Sequence, residues 1–185
     1  MLEKLSTWLG SIAKGWLVLI LFMADMAFLG SILPSMQANI EAISGGVGPL
    51  DLTFFPSVEK TLAAISAYGA NGRSLYATTE LTTDIVYPIV YTFFFSLLIT
   101  ALLQHAFDKD SKLQRLNVIP FGAWLFDLLE NICIVTLLLS FPVQPMLAAS
   151  ALTIANGFKW LFVGASVLTL LFTFGALLFK KIKGT

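Results

Sequence analysis

The stretch DIVYPIVYTFFFSLLITALLQHA, residues 84–106, gives the clearest indication of the architecture. It is almost entirely apolar, and its length suits a helix that crosses a bilayer, which takes roughly 20 residues at about 1.5 Å rise each. A charged run at 108–115 follows its end. The stretch therefore predicts a transmembrane helix that emerges into water just after Ala106.

Three other apolar segments have the same character, at about 15–34, 117–141 and 147–179. The first is longer than the core of a cleaved signal peptide and contains Asp25, which favours a helix that remains in the membrane. Together the segments predict an all-α, polytopic membrane protein. We expect one membrane domain, an antiparallel bundle of four transmembrane helices, with an outer loop at 35–80 and a cytoplasmic loop at 107–116.

The composition agrees with this prediction and excludes several other classes. Of 185 residues, 57% are hydrophobic and only 12% are charged, about half the charge of a soluble domain. One cysteine and one histidine provide neither an intrachain disulfide nor a usual zinc site. Eleven basic residues balance eleven acidic residues, so a nucleic-acid-binding protein is not expected.

Basic residues near the ends of the segments predict the orientation, because cytoplasmic loops carry the excess of Lys and Arg. One side carries eight: Lys4, Lys14, Lys109, Lys112, Arg115, Lys180, Lys181 and Lys183. The other side carries Lys60 and Arg73, with Lys159 near the boundary. We therefore expect a multi-pass protein of the cell (inner) membrane with both termini in the cytoplasm.

The outer loop contains a helix-start signal. Pro56 and Ser57 precede apolar residues at helical spacing between Val58 and Ala67, as expected for a short amphipathic helix. Such a helix would lie at the outer interface or over the bundle. Its role is either a lid over a site or simple packing.

Ionisable residues at membrane depth are the main functional signal, since each costs roughly 2.5–3.5 kcal/mol at the centre of a helix. Asp25 and Asp127 lie about ten residues into their segments, which places them near the midplane at about 15 Å depth. Glu130 and Asn131 lie one turn further out. Asp84 and Lys159 lie near the outer interface.

Helical spacing brings these groups onto common faces. Asp84, Tyr87 and Tyr91 share one face of the second segment with Glu80, and Pro88 lies between them, where it frees a backbone carbonyl. Trp124, Asp127 and Asn131 form a stripe on the third segment. The predicted ligand- or cation-binding residues are Asp25, Asp84, Tyr87, Tyr91, Trp124, Asp127, Glu130, Asn131 and Lys159.

Four of these residues are acids, and Lys159 is the one basic side chain among them. Carboxylates in a water-poor interior must be neutralised by protons, water or a bound cation. The sequence therefore predicts an intramembrane acidic cavity, open toward the outer side, that binds or conducts a cation, a proton or a basic ligand. The tyrosines and Trp124 suit an organic cation such as a hydrophobic amine.

Three alternatives fit the same residues. A membrane-embedded enzyme could use a carboxylate pair for acid–base work on a lipid or isoprenoid. An accessory subunit of a larger membrane complex, or a homo-oligomer, could direct the polar stripes at partner helices. Lastly, the acids could serve only as hydrogen-bonding glue between helices, with Asp84 paired to Lys159. The sequence assigns no catalytic residues, metal ligands or cofactors, and partners beyond the lipid bilayer remain open.

Overall fold

The computed structural model describes residues 1–183, which are helical throughout apart from turns and loops and contain no strand. Eight α-helices, one π-turn and one 3₁₀ helix follow one another along the chain. In order they are α1 (Leu2–Ile12), α2 (Gly15–Ala27), the π-turn (Phe28–Ile32), α3 (Leu33–Ser44), α4 (Val58–Ala67), α5 (Gly69–Leu81), α6 (Thr83–Ala106), the 3₁₀ helix (Lys112–Val118), α7 (Ile119–Ser140) and α8 (Met146–Lys183).

Within the described residues, all of these elements except α1 and α4 join end to end into four helices long and apolar enough to cross a membrane. They are Gly15–Ser44, Gly69–Ala106, Lys112–Ser140 and Met146–Lys183. Many large apolar side chains, such as Leu161, Leu168 and Leu171, are exposed on the outside of these helices. Such a surface suits contact with lipid tails. The chain is thus a multi-pass membrane protein with all-helical architecture.

The first apolar helix continues to Ser44, beyond the end near Pro34 that the sequence suggests. Pro34 lies in the first turn of α3, directly after the π-turn. Proline disturbs a helix least in a first turn, and a π-turn changes which backbone groups pair. The helix can therefore pass through Pro34 without ending.

One end of the bundle, here the basic end, consists of α1, residues 107–118 and the last turns of α8. Gln104 Nε2 donates to the Gly10 carbonyl at 3.1 Å, and Asn117 Nδ2 donates to Ser6 and Thr100. Lys180 Nζ donates to the His105 carbonyl at 3.0 Å. These bonds bring the described part of both chain ends and the predicted cytoplasmic loop together.

The opposite end, here the loop end, is formed by residues 45–68 and 141–145. Ser57 caps α4 by accepting a hydrogen bond from the Lys60 backbone N–H at 3.2 Å. The buried face of α4 includes Ile65, which joins an apolar core under this end. Other members of that core are Ile40, Leu50, Tyr68, Tyr76, Ile134, Leu137 and Leu152. The loop is therefore part of the packed protein.

Candidate functional site: an acidic cavity around Lys159

Lys159 lies in α8 and its side chain is almost fully buried, with 7% of the residue exposed. Its ammonium group pairs with Asp127 at 3.3 Å and with Glu130, both from α7. It also donates a hydrogen bond to the Asp51 carbonyl at 3.0 Å. The hypothesis that Lys159 pairs with Asp84 is therefore wrong: α7, the helix that packs most extensively on α8, supplies its ion-pair partners.

Asn156 lies one turn before Lys159 and connects the same acids to the loop. Its Nδ2 donates to Glu130 Oε1 at 2.8 Å and to the Thr53 carbonyl at 2.9 Å. Its Oδ1 accepts from the Phe55 backbone N–H at 2.9 Å. Since Asn156 is fully buried, it holds the loop and the ion pairs in one polar network.

Pro88 leaves one backbone carbonyl of α6 without its helical hydrogen bond, as expected from the sequence. A side chain of α7 donates a hydrogen bond to that carbonyl. Proline has no N–H, so the carbonyl of Asp84, four residues earlier, loses its helical partner. Asn131 Nδ2 donates to that carbonyl at 2.9 Å. The kink-prone turn of α6 is thereby tied to α7 beside the acids.

Two acids outside the predicted set join the cluster. One carboxylate oxygen of each of Asp51, Glu80 and Asp84 lies within 4.8 Å of the others. Glu80 is 1% exposed, and Asp51 lies in the loop. Five carboxyl groups thus surround the single ammonium of Lys159, since Asp127 and Glu130 pair with it directly.

A cavity of about 220 Å³ lies against this cluster. Its polar wall consists of Asp51, Asp84, Asp127 and Lys159, and its aromatic wall of Tyr87, Tyr91, Phe95 and Trp160. Leu29, Leu33, Leu52 and Val163 complete it. The wall of the cavity therefore combines three acidic side chains and one lysine with aromatic and aliphatic side chains.

The cavity reaches the surface between the first and last apolar helices. The first helix packs along α6, whereas neither α2 nor α3 packs along α8. Leu29 and Leu52, both in the cavity wall, are 48% and 43% exposed. One side of the cavity thus lacks a covering helix.

The loop forms the cover of the cavity at the loop end. Phe54 stacks on Trp160 with 4.1 Å between ring centroids. Tyr76 Oη donates to Asp51 Oδ1 at 2.5 Å, and Tyr68 Oη donates to the Gly48 carbonyl at 2.7 Å. Burial, with the nearby acids, raises the pKa of Tyr68 far above its ordinary value, so this tyrosine remains a donor.

The predicted site residues fall into three groups. Asp84, Tyr87, Tyr91, Asp127 and Lys159 line the cavity. Glu130 and Asn131 lie behind it, in the contacts described above.

Asp25 and Trp124 are not among the residues that line the cavity. Asp25 is buried, with Oδ1 unpartnered among the described residues, and the same holds for Trp124 Nε1. The neighbouring π-turn packs Phe28 on Tyr87, with 5.1 Å between ring centroids. Asp25 lies in α2, just before this turn, and Trp124 lies in α7 beside Phe121, with 6.1 Å between ring centroids.

Sequence pattern did not select Asp51, Glu80, Tyr76 or Asn156 as site residues. Glu80 does share a helical face with Asp84, and Asn156 lies one turn from Lys159, so spacing carried a signal for these two. Asp51 is in a loop, where no periodicity indicates which way a side chain points.

Comparison with known protein families, with curated proteins and with solved structures gives no match for this chain.

Proposed function

We propose that this protein binds a basic ligand, an amine on an apolar tail, in the acidic cavity around Lys159. The observation that carries the proposal is the combination of Asp51, Asp84 and Asp127 with an aromatic wall in a cavity that reaches the lipid-facing surface. The carboxylates outnumber the one ammonium nearby. A ligand cation would reduce this surplus of negative charge.

The size and walls of the cavity support an amine head group. Ligand pockets for drug-sized molecules measure roughly 300–1,000 Å³, and this cavity is smaller, at about 220 Å³. It suits the charged end of a molecule whose tail lies between α2 and α8 in the bilayer. Tyr87, Tyr91 and Trp160 provide ring faces that attract a cation.

The orientation belongs to the same proposal. The positive-inside rule supports a cytoplasmic basic end and an outward loop end. With this orientation the cavity opens toward the outer leaflet of the cell membrane, where its ligand enters.

A binding experiment with a matched pair of probes tests the proposal. We expect dodecylamine to raise the melting temperature of the protein in lipid nanodiscs, whereas dodecanol, which has the same tail without the charge, does not. A ligand at 100 times its Kd stabilises by about 2.7 kcal/mol. Asp127→Asn should weaken amine binding at least about tenfold, corresponding to about 1.4 kcal/mol.

Glu59→Gln is the control, because it removes one carboxylate from an exposed position of α4 at the same end of the molecule. It should bind dodecylamine as the wild type does. Equal shifts with dodecylamine and dodecanol, or unchanged amine binding in folded Asp127→Asn, would contradict the proposal.

The opening between the first and last helices also supports the second candidate, an acid–base enzyme on a lipid or isoprenoid. Such an enzyme needs carboxyl groups that a lipid can reach, and Asp84 and Asp127 line a cavity with this access. Turnover of a lipid extract, detected by mass spectrometry and lost in Asp127→Asn, would distinguish the enzyme from a binding protein.

A further inference from the structure

The carboxylates of Asp51, Glu80 and Asp84 meet beside the amine cavity, whose wall includes Asp51 and Asp84 but not Glu80. They line a second void of about 20 Å³, together with Tyr76, Thr79 and residues of α3. A void that holds one water molecule needs about 10–15 Å³ by this measure. There is room for one small occupant.

Glu80 is the main reason to expect a bound molecule or ion in this void. It is 1% exposed, and neither of its carboxylate oxygens has a hydrogen-bond partner among the described residues. Glu80 lines the small void but not the amine cavity. A buried carboxylate without a partner is costly, and the cost rises when other carboxylates lie beside it.

Lys159 does not neutralise these three carboxylates by direct pairing. Its ammonium group forms ion pairs with Asp127 and Glu130, and its contact with Asp51 is to the backbone carbonyl. The three carboxyl groups therefore lack a direct ion-pair partner within residues 1–183. Water alone would fill the void but would leave the charges in place.

The geometry and the donor atoms suit a hard divalent cation. All the donors are oxygens, which Ca²⁺, Mg²⁺ and Mn²⁺ prefer. Two oxygens bound to one Ca²⁺, each at about 2.3–2.6 Å, are at most about 4.6–5.2 Å apart, whereas Mg²⁺ at about 2.0–2.1 Å requires about 4.2 Å or less. The three oxygens lie within 4.8 Å of one another, and this upper limit of their separation matches Ca²⁺ better than Mg²⁺.

A surrounding contact orients one of the ligands. Tyr76 Oη donates to Asp51 Oδ1 at 2.5 Å and accepts from the Leu50 backbone N–H at 2.8 Å. Such contacts fix the direction of a metal-binding carboxylate. They hold the Asp51 carboxylate beside Glu80 and Asp84.

We propose that Asp51, Glu80 and Asp84 bind one divalent cation of about the size of Ca²⁺, which joins the loop to α5 and α6. This site goes beyond the proposed amine binding because it depends on Glu80, which is outside the amine cavity, while Asp51 and Asp84 belong to both sites. By bridging Asp51 to the bundle, the cation stabilises the cover of the cavity.

Titration of the full-length protein in nanodiscs tests the site. Isothermal calorimetry with CaCl₂, after removal of metal with EDTA, should show one Ca²⁺ per chain, and the bound ion should raise the melting temperature. Glu80→Gln, which retains the shape of the side chain, should weaken Ca²⁺ binding at least tenfold, whereas Glu59→Gln should bind normally. Electron paramagnetic resonance with Mn²⁺ as a probe should show the same difference between the two variants.

The two proposals fail separately. Folding of each variant is checked by circular dichroism and gel filtration, and a Glu80→Gln protein that fails to fold is replaced by Glu80→Ala, with the same expected loss. Absence of Ca²⁺ binding up to about 1 mM, the weak end of protein calcium sites, overturns the metal site, as does equal binding by wild type and Glu80→Gln. Tighter binding of Mg²⁺ than of Ca²⁺ overturns the ion size. Dodecylamine binding that is lost in Asp127→Asn but retained in Glu80→Gln shows that the amine cavity is independent.

Discussion

At the scale of single residues, Asn156 joins the acids to the loop although the sequence did not predict it as a site residue. The side-chain amide of Asn156 donates hydrogen bonds to Glu130 and to a backbone carbonyl of the loop, and it accepts one from a backbone N–H of the loop. An amide offers two donors and two acceptor lone pairs, so no apolar or acidic side chain of this size can replace all three contacts. The loop and the buried ion pairs thus depend on one side chain.

Asn156→Leu should therefore lower the free energy of unfolding by about 2–4 kcal/mol. Each lost hydrogen bond costs about 1 kcal/mol net, and buried groups left unpaired add to that cost. Thr153→Val is the matched variant, since Thr153 Oγ1 gives the loop a single bond, to the Pro56 carbonyl at 2.7 Å. It should cost only about 1 kcal/mol. Equilibrium unfolding in mixed micelles of detergent and SDS measures the free energy of unfolding of both variants. Equal losses of unfolding free energy in the two variants would contradict the role given to Asn156.

Residue spacing predicts some of the cluster and fails for a physical reason elsewhere. Asp84, Tyr87 and Tyr91 do share a face, because the helical period fixes the relative direction of residues on one element. The partners of Lys159 depend on how α7 is rotated against α8, which packing decides. Asp51 reaches the site through tertiary contacts of a loop, and no local period describes those.

At the scale of elements, Gly122 of α7 lies directly against Phe162 of α8. A methyl group added there would collide with the ring of Phe162, which stacks on Phe126 with 5.7 Å between ring centroids. Small residues let membrane helices approach in this way. The glycine therefore sets the distance between the two helices that carry Asp127, Glu130 and Lys159.

Gly122→Ala should destabilise the protein by about 1–3 kcal/mol, the usual cost of inserting atoms into a packed interior. Because it also shifts α7 against α8, it should weaken dodecylamine binding. Gly164→Ala in α8 is the control, as nothing lies within 4 Å of the added carbon. Thermal unfolding in nanodiscs measures both variants, and a Gly122→Ala protein as stable as Gly164→Ala would refute this account of the packing.

The apolar segments predict the number and the approximate positions of the spanning helices, but not where each helix ends. Hydropathy records which residues tolerate lipid, and Gly69–Leu81 is too polar to be included. Yet α5 continues almost directly into α6, interrupted only at Thr82. Helical structure outside the hydrocarbon layer is decided by packing, here on α3 and α7, which hydropathy does not detect.

At the scale of the whole molecule, the net charge of zero conceals a separation of charge along the bundle. Eight of the eleven basic residues lie at the basic end, with only Glu3, Asp108 and Asp110 of the acids. The other eight acids lie in the bundle or toward the loop end. The cation sites proposed above are therefore on the acid-rich side, where a cation arriving from the loop end meets an attractive field.

The orientation follows from the same separation and is testable with single cysteines. In a Cys133→Ser background, Glu59→Cys in α4 and Lys109→Cys between α6 and α7 place one exposed thiol at each end. A membrane-impermeant maleimide should label Glu59→Cys in intact spheroplasts and Lys109→Cys only after the membrane is permeabilised, since the basic end is expected to remain inside. The reverse pattern would place the acid-rich end in the cytoplasm. Both cation proposals would then draw their ligands from the cytoplasmic side, so labelling fixes the side from which amine and Ca²⁺ must be supplied in any flux experiment.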